Sequence, residues 1–295
     1  MKRAKDFEKP MEFLVDVNVA VFNHAPFLRQ TLESVINQKT NFPVRLIIGD
    51  DCSTDGSQQI LQEYESEYPD RIYLILQPKN LGLQAEERNG IILLRKSTSK
   101  YIALLDGDDY WTDPYKLQKQ VDFLEGNPEF NACFHNVKIH SEDGGNSIGL
   151  VYAKDRKNEI ALIDLANGDY MHTCSLLFRN LPEVMNPILN KLVVGDDDSI
   201  GYCLLVTGKK AKYLNEVMAA YRKHLGGVWS LLSQKKRLLW TMGHQQATIK
   251  YYNDDILSPI LKKRLKASSI VLMKMAIRKV DPILFLKGLK FLVFG

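Results

Sequence analysis

Tyr101-Ile102-Ala103-Leu104-Leu105-Asp106-Gly107-Asp108-Asp109-Tyr110-Trp111 passes from an apolar run straight into three carboxylates within four residues. The run is short, apolar and bounded by a turn signal, which is the pattern of a buried strand. Such a strand delivers the residues after it to the edge of a sheet. Three acids crowded at that edge repel one another. A divalent cation is the simplest counter-ion, and oxygen ligands suit Mg²⁺ or Mn²⁺. Gly107 leaves room for a backbone or a ligand to come close. Asp106-Gly107-Asp108 is therefore a candidate metal and diphosphate site, with a solvated acidic turn as the plain alternative.

Upstream, strand and helix patterns alternate. Phe13 to Phe22 is strand-like, Asn23-His24-Ala25-Pro26 is a turn, and Pro26 opens a helix to about Gln38 with Leu28, Leu32, Val35 and Ile36 near helical spacing. Val44 to Ile48 is a second strand, closed by Gly49-Asp50-Asp51. Ser53-Thr54-Asp55-Gly56-Ser57 is a loop and helix start, with the helix running to about Tyr68, and a strand from Ile72 to Leu76 and a helix from Gln84 to Lys96 come next. Four βα units in about a hundred residues predict an α/β fold, a mostly parallel, doubly wound sheet flanked by helices. Ligands of such folds sit at the C-terminal ends of strands. Both acid clusters, Asp50-Asp51 and Asp106 to Asp109, fall at that edge.

Downstream, the predicted elements are a helix from Pro114 to Gly126 and a strand from Asn131 to His140 that runs into a hairpin-like turn at Glu142-Asp143-Gly144-Gly145-Asn146. Residues 150 to 170 read as irregular and Thr173 to Phe178 as a strand. Gly195-Asp196-Asp197-Asp198 opens a helix that ends at Gly208, and Tyr213 to Tyr221 is a late strand. A glycine-bearing loop from Arg222 to Ser230 precedes a helical remainder.

Composition narrows the class. The 295 residues suffice for a full α/β core and a small second subdomain. At 45% hydrophobic and 25% charged, the make-up is that of an ordinary globular protein. The net charge of +4 is uneven: from Ile260 onward nine Lys or Arg residues face one acid, Asp281, so the rest of the chain is net acidic. A nucleic-acid binder with a uniformly basic surface is excluded. Cys52, Cys133, Cys174 and Cys203 lie far apart with no CxxC pair, which points to buried free thiols in a reducing compartment and away from zinc. The N-terminal residues are charged and lack the apolar core of a signal peptide. No apolar run reaches the ~18–20 residues of a membrane span. The expected location is the cytoplasm.

Four segments, in order, resemble the family 2 glycosyltransferases of the GT-A fold. They are Val19-Ala20-Val21-Phe22-Asn23-His24 through Leu32-Glu33-Ser34-Val35-Ile36-Asn37-Gln38; Ile47-Ile48-Gly49-Asp50-Asp51-Cys52-Ser53-Thr54-Asp55-Gly56-Ser57; Asn80-Leu81-Gly82 through Arg88-Asn89-Gly90-Ile91; and Leu105-Asp106-Gly107-Asp108-Asp109. The likeness continues at Tyr110-Trp111-Thr112-Asp113-Pro114 and from Tyr221 to Trp229, where it is similar to a bacterial subgroup that builds surface polysaccharides. It implies a GT-A catalytic domain over residues 11–230, followed by a helical, basic and apolar tail over 231–295. The implied activity is inverting transfer of a sugar from a nucleotide-sugar donor, UDP-linked, to a hydroxyl of a lipid-linked glycan, assisted by Mn²⁺ or Mg²⁺.

That reaction explains the residue types. A base must deprotonate the acceptor hydroxyl, and the departing diphosphate needs electrostatic stabilisation. By resemblance, Asp51 accepts a nucleobase N–H and Asp50 supports it, although a helix cap is the structural alternative for Asp51. Asp106 faces ribose and metal, Asp108 and His224 the metal, and Arg88 the diphosphate. Asp109 can cap the following turn instead. The base falls in Gly195-Asp196-Asp197-Asp198, with Asp196 first and Asp197 beside it, where the family carries an aromatic residue. Trp229 is an acceptor platform or a loop anchor. The other histidines, His24, His172 and His244 among them, lack ligand-like spacing and read as structural.

Two other readings compete: a nucleotidyltransferase, which would need a glycine-rich basic loop that is absent near the N-terminus, and an inactive nucleotide-sugar-binding homologue. The tail adds one more expectation. Lys262, Lys263, Arg264 and Lys266 precede Ile270, Val271, Leu272 and Met273, and past Pro282 come Ile283, Leu284, Phe285, Leu286 and Leu289. Basic and apolar segments too short to span fit helices lying on an anionic inner-membrane surface, or else helices packed on protein.

Overall fold

Val15–Val21 (β1) alternates valine with Asp16, Asn18 and Ala20, a pattern that suggests a strand with one wet face, yet Asp16 and Asn18 are buried as completely as the valines. Each has a polar partner inside. The Asp16 carboxylate accepts two hydrogen bonds from Arg45 (2.8 and 2.9 Å) and the N–H groups of Thr98 and Ser99. The Asn18 side chain accepts the Ser97 hydroxyl at 2.9 Å. Asp16 is satisfied as a buried charge requires, whereas Asn18 is satisfied only at its oxygen and its Nδ2 is buried without a hydrogen bond.

The computed structural model describes residues 12–82, 88–141, 147–182, 197–227, 232–252, 255, 257–279 and 281–294. After β1 come α1 (Ala25–Ile36), β2 (Val44–Asp50), α2 (Ser57–Glu67), β3 (Ile72–Leu76), α3 (Asn89–Lys96) and β4 (Tyr101–Asp106). These four strands are parallel and lie in the order β3-β2-β1-β4. The chain steps outward from β1 to β3 and then returns to the other side of β1. The strand order reverses there, and a crevice opens at the C-terminal ends of β1 and β4.

The second half contributes β5 (Tyr110–Trp111), α4 (Lys116–Gly126), β6 (Phe130–Ser141), β7 (Ser147–Leu150), β8 (Glu159–Ile160), α5 (Leu162–Ala166), β9 (Leu177–Arg179), α6 (Asp197–Leu205) and β10 (Lys210–Lys223). The main sheet runs β3-β2-β1-β4-β9-β6-β10-β5, with β7 on β6 and β8 on β10. β9 is antiparallel to both β4 and β6, while β6 and β10 are parallel. Three helices close the chain: α7 (Gln234–Tyr252), α8 (Leu257–Lys279) and α9 (Pro282–Phe294). The mostly parallel sheet flanked by helices, with helices at the C-terminal end, is the architecture expected.

Three local expectations are corrected. Thr173 to Phe178 is not one strand: Ser175 N–H bonds the His172 carbonyl and Leu176 N–H that of Thr173, closing a 3-10 turn at Thr173–Ser175 before β9 starts. Residues 150–170 are not wholly irregular, because β8 and α5 form there. Among the described residues, the helix expected from Gln84 starts at Asn89, and Arg88 before it is extended.

The sheet alternation sorts the apolar side chains into two layers. Tyr101, Ala103 and Leu105 join the β1 valines, Leu28, Leu32, Leu61, Leu117 and Val121 on the α1, α2 and α4 face. Ile102 and Leu104 join Ile91, Phe134, Phe178, Leu204 and Leu205 on the other. Leu257 and Leu261 of α8 belong to that second layer, so the tail is seated on the sheet domain. A small helical cluster of Met242, Leu265, Leu272, Ala276 and Leu284 ties α7, α8 and α9 together. Among the described residues, no helix is long and apolar enough to cross a membrane.

Candidate active site

Three strand ends build the site. The segment after β1 and the loop after β2 are interlaced by polar bonds. Asn23 N–H donates to Ser53 Oγ (2.8 Å), His24 N–H to Ser57 Oγ (3.0 Å) and Ala25 N–H to Asp55 Oδ2 (2.9 Å). Ser57 and Asp55 thus satisfy backbone donors at the start of α1. Asp50, fully buried, accepts Ser53 N–H (2.9 Å) and Gln58 Nε2 (2.7 Å) through one oxygen, while its other oxygen is buried without a hydrogen bond. Its place is under the loop, holding its shape.

Asp51 lines the cleft. Its two oxygens accept the N–H groups of Leu81 (2.7 Å) and Gly82 (3.1 Å). Neither bond caps α2, whose preceding residue Gly56 makes no side-chain cap. Asp51 therefore joins the loop after β2 to the segment after β3, and each oxygen keeps further accepting capacity.

At the end of β4 the acids turn sharply. Asp109 N–H bonds the Asp106 carbonyl (3.0 Å) and Gly107 N–H the Ala20 carbonyl (2.8 Å). A Cβ on Gly107 would lie 2.7 Å from His24 Nδ1 and 3.2 Å from the Ala20 carbonyl oxygen, so the close approach that glycine permits here is to backbone and imidazole. The carboxylates of Asp106, Asp108 and Asp109 offer oxygens all within 4.8 Å of one another. Hard oxygen donors converging in this way fit Mg²⁺ or Mn²⁺.

The three acids are not equivalent. Asp108 Oδ2 lies 3.0 Å from His224 Nε2 and 3.7 Å from His24 Nε2. Burial alone would raise its carboxyl, but the His224 hydrogen bond and the two imidazoles draw it below the usual value. Gly226 N–H donates to His224 Nδ1 at 3.2 Å, which assigns the ring proton to Nε2, facing Asp108. For His224 to hold a cation through Nε2, that proton must leave.

Asp109 is almost fully buried. Burial, then the charges of Asp108 and Asp106, push its carboxyl well above the ordinary range. It accepts the Arg222 backbone N–H (2.9 Å), while the Arg222 guanidinium donates to the Asp108 carbonyl (2.7 Å) and to Gln30. Asp109 thus caps the end of β10 instead of the following turn. Behind it, Cys174 Sγ sits 3.3 Å from His172 Nδ1. Burial lowers the His172 imidazole to about 4 and raises the Cys174 thiol, so both are neutral.

The cleft has a volume of about 1150 Å³. It brings Asp51, Arg88, Asp106 and Asp108 together along one sheet edge. The Arg88 guanidinium carbon lies 4.9 Å from the centre of the Trp240 ring. Asp196 and Trp229 lie outside the described residues. Asp197 is the first residue of α6, and its side chain is likewise outside them.

Sequence reasoning missed several residues here. His24 and His172, read as structural, border the acids, and His244 also lines the cleft. His24 comes directly after β1 at the ligand-bearing edge, a positional signal as good as that of the acids. Arg222 gave no such signal, because only the β10 pairing brings it to Asp109. Nor did Arg237, Trp240 and Thr241, which reach the cleft from the tail.

Comparison with known proteins supplies the family. The model of glycosyl transferase family 2 matches residues 16–184. An uncharacterized protein of Mycobacterium tuberculosis is 34% identical over 227 residues, 77% of this chain and 64% of that protein, so the match spans less than two thirds of its length. TuaG of Bacillus subtilis, named for teichuronic acid biosynthesis, is 30% identical over 210 residues, 71% of this chain and 79% of TuaG. WfaP of Escherichia coli, named a UDP-Glc:α-D-GlcNAc-diphosphoundecaprenol β-1,3-glucosyltransferase, is 29% identical over 218 residues, 73% of this chain and 79% of WfaP. In fold, the chain resembles S. aureus TarS 1–349 in complex with UDP-GlcNAc, with a TM-score of 0.67 at 15% identity over 94% of this chain and 80% of that one. It also resembles the mannosyltransferase PcManGT of Pyrobaculum calidifontis in complex with GDP-Man and Mn²⁺, with a TM-score of 0.54 at 16% identity over 97% and 91%. The fold is GT-A, and with more than half of its length matched by the family model, this chain belongs to glycosyl transferase family 2.

Proposed function

We propose that the chain transfers a sugar from a UDP-linked donor, with inversion, to a hydroxyl of a lipid-linked surface glycan. The observation that carries this is the gathering of Asp51, Arg88, Asp106 and Asp108 on one cleft at the strand-order reversal of the sheet. In this reading Asp51, already braced by two backbone N–H groups, accepts from the nucleobase. Arg88 neutralises the diphosphate. Asp106 and Asp108 hold Mn²⁺ or Mg²⁺, whose chemistry when bound is to offset charge on the departing diphosphate. His224, 3.0 Å from Asp108, is a further residue at the metal. Asp196, or Asp197 beside it, takes the proton of the acceptor hydroxyl so that oxygen attacks the anomeric carbon opposite the diphosphate. UDP and a diphospholipid acceptor agree with the name of WfaP, and the GDP-Man complex of PcManGT marks the alternative donor class.

The tail supports placement at a membrane surface. Along α8 the exposed residues run from Lys262, Lys263 and Lys266 to Ile270, Val271, Lys274, Ile277 and Arg278. On α9 they include Ile283, Leu286, Lys287, Leu289 and Lys290. Ile277, Ile283 and Leu286 are each more than 60% exposed. Apolar side chains flanked by lysines suit the headgroup boundary of an anionic bilayer, where a lipid-linked acceptor is presented.

The test is calorimetric titration of UDP into the full chain with Mn²⁺ and with chelator. Wild type is expected to bind UDP more tightly with Mn²⁺. Asp108→Asn is expected to lose that increment and keep its far-ultraviolet dichroism. UDP affinity indifferent to metal in both proteins would overturn the reading.

A further inference from the structure

Helix α7, which follows β10 in the chain, reaches back into the cleft. Arg237, Trp240, Thr241 and His244 of α7 all line it, at spacings of three, four and seven residues from the first. That spacing is one stripe of a helix. Met242, fully buried, faces the other way, into the cluster with Leu265, Leu272 and Leu284. α7 is thus fixed from behind and offers a rigid face forward.

On that face the Trp240 ring meets Arg88, with 4.9 Å between the guanidinium carbon and the ring centroid. This is within the range of a cation–π contact, which is strongest over tryptophan and gains when the pair is desolvated. Arg88 is 8% exposed and Trp240 is half-buried, so the pair is partly withdrawn from water. Arg88 stands just before α3 in extended backbone, and a long arginine side chain there has several rotamers open to it. A flat aromatic surface held by a separately anchored helix restricts that choice.

We propose that Trp240 is a positioning residue for Arg88: it holds the guanidinium at the cleft in the orientation that meets a nucleoside diphosphate, so that donor affinity depends on a helix of the tail. The inference rests on the reading of Arg88 as a diphosphate ligand. It predicts an effect on nucleotide binding that passes entirely through Arg88.

The experiment measures UDP and GDP binding with Mn²⁺ by calorimetry on the full chain. The variants are Trp240→Phe, Trp240→Leu, Arg88→Ala and the double variant Arg88→Ala with Trp240→Leu. Phenylalanine keeps a π face and leucine keeps apolar bulk only, so the two separate a cation–π role from mere packing. Trp240→Leu is expected to weaken nucleotide binding about 3- to 10-fold and Trp240→Phe less than about 3-fold, the scale of a partly desolvated cation–π contact. In the Arg88→Ala background, Trp240→Leu is expected to add nothing, as coupling through one contact requires. Thermal unfolding of each variant checks that the fold survives. If Arg88→Ala weakens binding while Trp240→Leu does not, or if the two losses add, the positioning role is refuted and the diphosphate reading stands. If Arg88→Ala leaves binding unchanged, that reading of Arg88 falls and the inference with it. If wild type binds neither nucleotide, the proposed function fails first.

Discussion

Lys116→Met gives the sharpest test of the packing beneath the site. Lys116 is fully buried in α4, with its ammonium 2.7 Å from Gln120 Oε1 and 4.0 Å from the centre of the Trp111 ring. No carboxylate is paired with it among the described residues. Burial lowers its value from 10.5 to about 7. The unfolded chain therefore holds a proton between about pH 7 and 10.5 that the native state has released, and native stability rises with pH across that window. Each pH unit well inside it is worth about 1.4 kcal/mol, so from about pH 7 to about pH 9.5 wild type gains about 3 kcal/mol from this group, allowing for curvature near the lower end. Methionine removes the dependence. It also leaves Gln120 Oε1 without its donor, an offset of about 1–3 kcal/mol that does not vary with pH. Urea unfolding of both proteins at several pH values, followed by tryptophan fluorescence, isolates the slope, because the other titrating groups are common to both. The difference between wild type and variant is expected to shift by about 3 kcal/mol in favour of wild type as pH rises. A difference constant within about 0.5 kcal/mol would mean that Lys116 keeps its proton in the fold, and the argument from burial would fail.

Further outcomes are expected at the site and the tail. Asp196→Asn should retain UDP binding and lose about two to four orders of magnitude in transfer rate, measured by UDP release; if Asp197→Asn behaves this way instead, the base is its neighbour. Gly107→Ala should cost about 1–3 kcal/mol in urea unfolding and weaken nucleotide binding, because its Cβ meets His24 and the Ala20 carbonyl. Wild-type stability and binding in that variant would show that the acid turn yields easily. Ile283→Glu with Leu286→Glu should abolish sedimentation with anionic liposomes while sparing UDP binding; equal sedimentation would refute the membrane role of the tail.

The first half of the fold was legible because each element announces itself locally. The β3 limits match the expected Ile72–Leu76, and α1, α2 and β2 fall within a few residues of their expected limits. Period, turn residues and strand-end acids all lie close together in the chain there. The features that were not legible depend on distant contacts. The Trp111 indole donates to the Cys174 carbonyl at 2.9 Å, from 63 residues away, and helps fix the turn that displaces the expected strand. Asp109 has the look of a turn cap, but its partner is the Arg222 N–H, 113 residues on. The pattern of the tail predicts helices, but nothing in it tells that α7 lines the cleft. Its apolar residues give no strong one-sided stripe, because two different surfaces claim them.

The interleaved wall of the cleft bears on how members of this family diverge. The region matched by the family model ends at residue 184, yet Arg222, Arg237, Trp240, His244 and Arg264 also line the cleft. Two proteins can share every acid of the first half and still surround the cleft with different neighbours. Likeness over the matched region therefore covers only part of the wall of this cleft. An exchange of residues 234–264 between relatives should carry donor or acceptor preference with it and leave the acid set untouched.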